Sequence, residues 1–284
     1  MPTKRPLGFS FLYFAPRLTD EHQRWIDRAA HHGYDGVELP VNAATDAELA
    51  MLRRAAANAG LRTTAVGFCT PGSNPLAADV AERRAALEQL RTLAERARAI
   101  GADVLAGPMH SAYGVWTEAP PTTAERSRSA EVLRAAADYA TSLGVRLAIE
   151  PLNRFESYFL TTARDCAELV RAVDHPGLTG ALDTHHAHIE ERDTAAAIAA
   201  MAGTLGHVQL SENHRGTPGS GQVDFAAVLA ALDRIGYRGW LVVEAFSRQT
   251  PEFGNMLRVW RELDDGPDAV MAAGVAVARN ARTG

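Results

Sequence analysis

Three acids each close an otherwise apolar run: Glu150 ends "LAIE", Asp183 ends "GALD" and Glu244 ends "LVVE". Short apolar runs with branched side chains read as buried strands, so each acid stands at a strand end, partly out of water. Brought to one mouth, three carboxylates repel one another, and burial disfavours their charged forms. A cation resolves both problems. An oxygen-rich set points to Mg2+ or Mn2+, with Co2+ as a further choice, rather than to a structural zinc. A fourth run, "HVQLS" from His207, carries Gln209, also metal-capable. His207 and Gln209 share one face of a regular strand, so the sequence leaves open which of them points at the centre. A lone acid near a strand end more often belongs to an exposed loop, and Glu38 in "DGVEL" is read that way. The dense "DTHHAHIEE" offers His185, His186 and His188. Neighbours in extended chain point opposite ways, so only part of that cluster can face one site, and His188 is read as a surface loop or helix-start residue.

Positioning these groups falls to a regular alternation of short apolar runs with longer Ala/Leu/Arg/Glu segments of helical period, the pattern of βα units around a parallel sheet. The strand runs begin at Gly8, Asp35, Arg62, Asp103, Val145, Leu178, His207 and Trp240. Helical patterns lie between them, as in "DAELAMLRRAAANAG" and "AERRAALEQLRTLAERARAIG", and several stop at a glycine such as Gly33, Gly60 or Gly101. About eight such units in about 250 residues match the size of a (β/α)8 TIM barrel. No GxGxxG follows the first strands, as a doubly wound nucleotide-binding sheet would favour. The expectation is an α/β chain in which residues 1–284 form a single TIM-barrel domain, with "PDAVMAAGVAVARNA" as a C-terminal extra helix. Barrel active sites sit at the C-terminal strand ends, which is where the acids fall.

Composition narrows the partners. A formal net charge of -5 gives no basic footprint for nucleic acid, and no stretch approaches the roughly 20 apolar residues of a membrane-spanning helix. The opening "MPTKRPLGFSFLYFAPR" sets basic residues before an apolar run, but Ser10 and Pro16 break it, so a secretory leader is not expected. Cys69 and Cys166 stand far apart and form no CxxC, which leaves a reducing cytoplasm as the simplest compartment.

Four segments, "IEPLNRFE" from Ile149, "LDTHHAHIEE" from Leu182, "GHVQLSENHRGTPGSGQVDF" from Gly206 and "IGYRGWLVVEAF" from Ile235, resemble the xylose-isomerase-like sugar isomerases and epimerases, and among them most closely the ketose 3-epimerases. "GYDGVELP" in the second unit fits the same resemblance. It implies Glu150, Asp183 and Glu244 as metal ligands, the same three acids that strand-end position selects. It implies a fourth ligand at position 209, where the family carries histidine and this chain carries glutamine. The related hydroxypyruvate and 2-oxotetronate isomerases look similar there, with "GHVQ", and an amide oxygen suits a hard divalent ion, Mn2+ first. Substrate contacts are implied for Glu156, His186 and Arg215, and a homodimer or homotetramer for the assembly. Tyr113, Trp116 and Cys69 match the family poorly and are read as packing.

The implied chemistry is epimerisation of a ketose. A carboxylate cannot strip a proton from carbon beside a ketone unless the resulting cis-enediolate is stabilised. With Glu150 and Glu244 on opposite faces of the sugar, one removes the C3 proton and the other returns a proton to the other face. Alternatives are aldose-ketose isomerisation of the hydroxypyruvate type, action on 3-keto-glycosides, and a degenerate barrel that binds a sugar or serves as a partner subunit. The loop "GTPGSGQ" is read as a turn that could cradle an anion.

Overall fold

Each apolar run becomes a short parallel strand whose polar terminus faces one end of the molecule. The computed structural model describes residues 5–280, so Met1–Lys4 of the N-terminal run and Ala281 of the last helical pattern lie outside the described residues. The strands are β1 (Leu7–Ser10), β2 (Gly36–Pro40), β3 (Arg62–Val66), β4 (Val104–Gly107), β5 (Arg146–Ile149), β6 (Leu178–Asp183), β7 (Leu205–Ser211) and β8 (Trp240–Glu244). They pair in sequence order, all parallel, and β8 pairs back onto β1 with Leu241 opposite Leu7, which closes the barrel. Around it run α1 (Gln23–His32), α2 (Asp46–Asn58), α3 (Val80–Ala99), α4 (Thr123–Ser142), α5 (Ala163–Val173), α6 (Thr184–Glu190), α7 (Thr194–Ala200), α8 (Phe225–Arg234), α9 (Pro251–Met256) and α10 (Pro267–Asn280). The chain is a single (β/α)8 barrel with the expected extra helix, α10, held to the first unit where Tyr34 Oη donates to Met271 O at 2.9 Å.

Local chemistry sets the helix ends. Thr45 and Glu48 form a reciprocal capping box at the start of α2, and Thr122 and Glu125 do the same at α4, which satisfies amides that have no intrahelical partner. Gly33 ends α1 with φ 87°, a left-handed conformation that costs glycine little.

Strand alternation divides the interior in two. Phe9, Val37, Leu39, Leu105, Leu147, Leu182 and Val243 face the helices in the main core. Val104, Ala106, Ala148, Ala181, Trp240 and Val242 pack inside the barrel as a small apolar plug. The polar layers of the site stand on this plug, so their floor is dry and rigid.

Strands β1, β3, β5 and β8 are shorter than their apolar runs; β3 ends at Val66 and β5 at Ile149, one residue before Glu150. The first run continues to Phe14, but β1 stops at Ser10 and Phe11–Tyr13 form a turn of 3-10 helix, with Phe14 N donating to Phe11 O at 3.0 Å. Phe9, Phe11 and Tyr13 would share one face of a continued strand, and the 3-10 turn also brings Phe14 against them, its ring 5.2 Å from Phe11 and 5.0 Å from Tyr13. The last run continues to Phe246, whereas β8 stops at Glu244 and Phe246 N turns away to donate to Arg215 O at 2.7 Å.

Gly107 closes β4 at φ 130°, and a Cβ placed there would run into the Gly67 carbonyl oxygen. Gly107→Ala is therefore expected to cost about 2 kcal/mol or more, lowering the apparent Tm by about 4–8 °C. Thermal unfolding followed by circular dichroism measures it, and an unchanged Tm would contradict this close approach.

Candidate active site

The strand register decides which residues look inward. Ala181, His207 and Trp240 lie side by side across β6, β7 and β8, and Asp183, Gln209 and Val242 form the next inward row. Ala181, Trp240 and Val242 belong to the interior plug, so His207 and Gln209 both face the barrel axis, one row apart. Their partners differ. His207 Nε2 lies 2.8 Å from Glu38 Oε2, a close electrostatic contact rather than a directed hydrogen bond. Gln209 Nε2 donates to Glu244 Oε1 at 2.9 Å and to Glu38 Oε1 at 3.2 Å. Glu38 is not an exposed loop acid: it is completely buried beneath the site, with Thr64 Oγ1 donating to its Oε2 at 3.2 Å.

Above this floor, Arg215 gathers the acids. Its Nη1 donates to Asp183 Oδ2 at 2.7 Å, to Glu244 Oε2 at 2.9 Å and to Ser211 Oγ at 3.2 Å. The backbone of Arg215 is left-handed, φ 66°, an uncommon state for a side chain of this size and one that concentrates at functional sites. Asp183 also caps α6, accepting from His185 N at 2.6 Å, which places His186 against the cluster. His186 Nδ1 accepts from Asn153 N at 3.0 Å, and its Nε2 lies 3.6 Å from Glu150 Oε1 and 2.9 Å from Arg215 Nη2. Asn153 Nδ2 then donates to Glu156 Oε1 at 2.8 Å, which ties the second glutamate of "IEPLNRFE" to the same network.

The electrostatics follow from burial and crowding. Burial pushes the Glu150 carboxyl well above the usual carboxylate range, and the Asp183 charge adds to that, against the pull of Arg215. Burial likewise raises Glu244 far above its ordinary value; Arg215 opposes this, while Asp183 and Glu150 reinforce it. Asp183 goes the other way. Burial alone would raise it, but Arg215, then His186 and His185, hold it below its ordinary value. Burial lowers His186 well below its usual range and His185 to about 3, with the Arg215 charge next in both cases, so both rings stay neutral. Neutral His186 accepts at Nδ1 and so carries its proton on Nε2, which turns its contact with Arg215 into donor against donor.

All seven residues selected in the sequence meet at this end of the barrel. Glu150, Glu156, His186, Arg215 and Glu244 line one cavity, whose wall also carries the apolar rings of Phe246 and Phe253. Asp183 and Gln209 lie behind Arg215 and Glu244. Tyr113, read as packing, stands in the cavity wall with Oη 3.5 Å from Glu156 Oε2. Cys69 is buried and Trp116 half exposed. His188 is exposed on α6. The loop "GTPGSGQ" is organised by internal hydrogen bonds: Glu212 accepts from the amides of Asn213, Gly219 and Val223, and Asn213 Oδ1 from that of Gln222.

A divalent cation fits this donor set. Gln209 Oε1 is buried with no hydrogen-bond partner among the described residues, an orphaned acceptor beside an excess of carboxylate. Ligand atoms of Glu150, Asp183 and His186 lie within 4.8 Å of one another, as do those of Glu156, His185 and His186.

A closed barrel with a buried acidic cluster and a concave mouth at its C-terminal strand ends defines a barrel enzyme. The chain belongs to the xylose isomerase-like TIM barrel family, which it matches over residues 26–273. It is 32% identical to the D-psicose 3-epimerase of Agrobacterium fabrum over 92% of each chain. It is 32% identical to the L-ribulose 3-epimerase of Mesorhizobium japonicum over 96% of this chain and 90% of the relative. Among solved structures, the D-allulose 3-epimerase of Methylomonas sp. in complex with D-allulose superposes with a TM-score of 0.90 at 29% identity, covering 98% of this chain and 97% of that one. The protein is accordingly an isomerase of the ketose 3-epimerase type.

The raised Glu150 carboxyl has a consequence for stability. A carboxyl whose native value lies above its unfolded value contributes fully below the unfolded value, and that contribution is lost as pH rises through the native one. In the absence of divalent cations, Glu150→Gln is expected to raise the apparent Tm by a few degrees at pH 8 and by less at pH 5. Thermal scans at the two pH values test this, and a larger gain at pH 5 would contradict it.

Proposed function

We propose that this enzyme is a metal-dependent ketose 3-epimerase, in which Glu150 and Glu244 exchange the C3 proton through a cis-enediolate. The observation that carries the reading is that the two glutamates, from the ends of β5 and β8, flank one cavity whose wall also holds Arg215, His186 and Glu156. Glu150, Asp183, Gln209 and Glu244 would hold the ion, Mn2+ first and Mg2+ or Co2+ as alternatives, and it would supply Lewis-acid stabilisation of the enediolate charge. One glutamate takes the proton from C3 and the other delivers a proton to the opposite face, which inverts that carbon. Burial, with the neighbouring Asp183 charge, raises the proton affinity of both, as acid/base groups working near neutral pH require. Arg215 and His186 orient the oxygens at the C1 to C3 end, with Glu156 beside them. Phe246 and Phe253 keep water from the reacting carbons. The reading includes a free ketose as substrate, a homodimer or homotetramer, and a cytoplasmic enzyme whose Cys69 and Cys166 are buried free thiols.

One observation favours a second reading, action on 3-keto-glycosides. A further cavity shares Glu156, Arg215 and Phe246 with the first and continues past His214 and Trp260, the direction in which a substrate longer than a free ketose would extend.

Solvent deuterium exchange, read by NMR on a panel of ketoses, hydroxypyruvate and 3-keto-glucosides in Mn2+ buffer, separates these readings. Exchange is expected at C3 of a free ketose, reduced about 10²–10⁴-fold by either Glu150→Gln or Glu244→Gln. Retention of exchange in both variants would remove the two-glutamate assignment, and turnover of the glycosides alone would select the second reading.

A further inference from the structure

We propose that Glu38 is a positioning residue that fixes the amide of Gln209, turning its NH2 inward and leaving its carbonyl oxygen for the cation. This rests on the metal-dependent reading above. A histidine ligand needs only an acceptor for its other ring N–H, and a carbonyl serves there as well as a carboxylate. A primary amide has two opposite ends of the same shape, and half a turn about its last bond replaces an acceptor by a donor. Glutamine therefore serves as a ligand only where its surroundings choose the end.

Glu38 supplies that choice. Gln209 Nε2 lies 3.2 Å from Glu38 Oε1 and 2.9 Å from Glu244 Oε1; the carboxylate form of Glu38 can accept but not donate, whereas Glu244, with its raised proton affinity, does not by itself choose the end. Glu244 is divided between Gln209 and Arg215, and it lines the substrate cavity. Glu38 does not line that cavity. Its other oxygen takes the Thr64 hydroxyl at 3.2 Å and meets the His207 ring at 2.8 Å, so β2, β3 and β7 clamp it from below. With the NH2 held by two acids, Gln209 Oε1 is left buried and without a donor. A completely buried carboxylate is costly, and orienting a neighbouring ligand accounts for its presence here.

The test is Mn2+ binding to the full chain by isothermal titration calorimetry, as a double-mutant cycle of Glu38→Gln and Gln209→His. In the Gln209 background Glu38→Gln puts two amides face to face, and either can turn; the Mn2+ Kd is expected to rise about 10–100-fold. In the Gln209→His background the new amide still offers a carbonyl to the ring N–H, and the rise is expected to stay below about threefold. Thr64→Val, which loosens Glu38 without touching the site, is expected to give a smaller rise with the same dependence on residue 209, and carries the comparison if Glu38→Gln does not fold. Equal losses in both backgrounds, or no loss in the first, would overturn the positioning role while leaving the metal site standing. An unaltered chain that does not bind Mn2+ would overturn both.

Discussion

The constraint on which the site depends is the burial of several carboxylates in one small volume. Glu38, Glu150, Asp183 and Glu244 are each at most 4% exposed. Carboxylates so placed survive only with positive charge, bound protons or hydrogen bonds among them. Arg215 provides the charge, and the raised proton affinity of Glu150 and Glu244 shows that one guanidinium does not neutralise the cluster. The unpartnered Gln209 Oε1 beside these acids leaves a donor set that a further, compact cation fits. The left-handed backbone of Arg215, φ 66°, is an uncommon state that this packing among the acids holds in place.

The fold makes this crowding affordable. The plug of Trp240 and small alanines closes the barrel below, and the helices shield it from the sides, so the acids come from strands fixed by main-chain hydrogen bonds. The loop after β7 is organised in the same manner, with Glu212 as an internal hub for its amides.

Much of this was legible in the sequence, for physical reasons. The strands announce themselves because both faces of a barrel strand are buried, and Glu150, Asp183 and Glu244 stand out because an acid that ends such a run must face the mouth. Glu38 did not, since a single acid near a strand end has a common surface explanation. Whether His207 or Gln209 reaches the site needed the register across β6, β7 and β8, since a strand's own alternation puts both on one face. Tyr113 was lost in a long loop without periodicity. The early end of β1 was hidden because an aromatic run looks alike as strand or turn until its neighbours are in place.

The most direct measurement is an anomalous difference map from Mn2+-loaded crystals at the manganese edge. One ion is expected, held by Glu150, Asp183, Gln209 and Glu244, with the Gln209 carbonyl oxygen toward it. An ion seated instead on Glu156, His185 and His186, or bound Mn2+ with the amide nitrogen of Gln209 facing it, would rule out this metal centre.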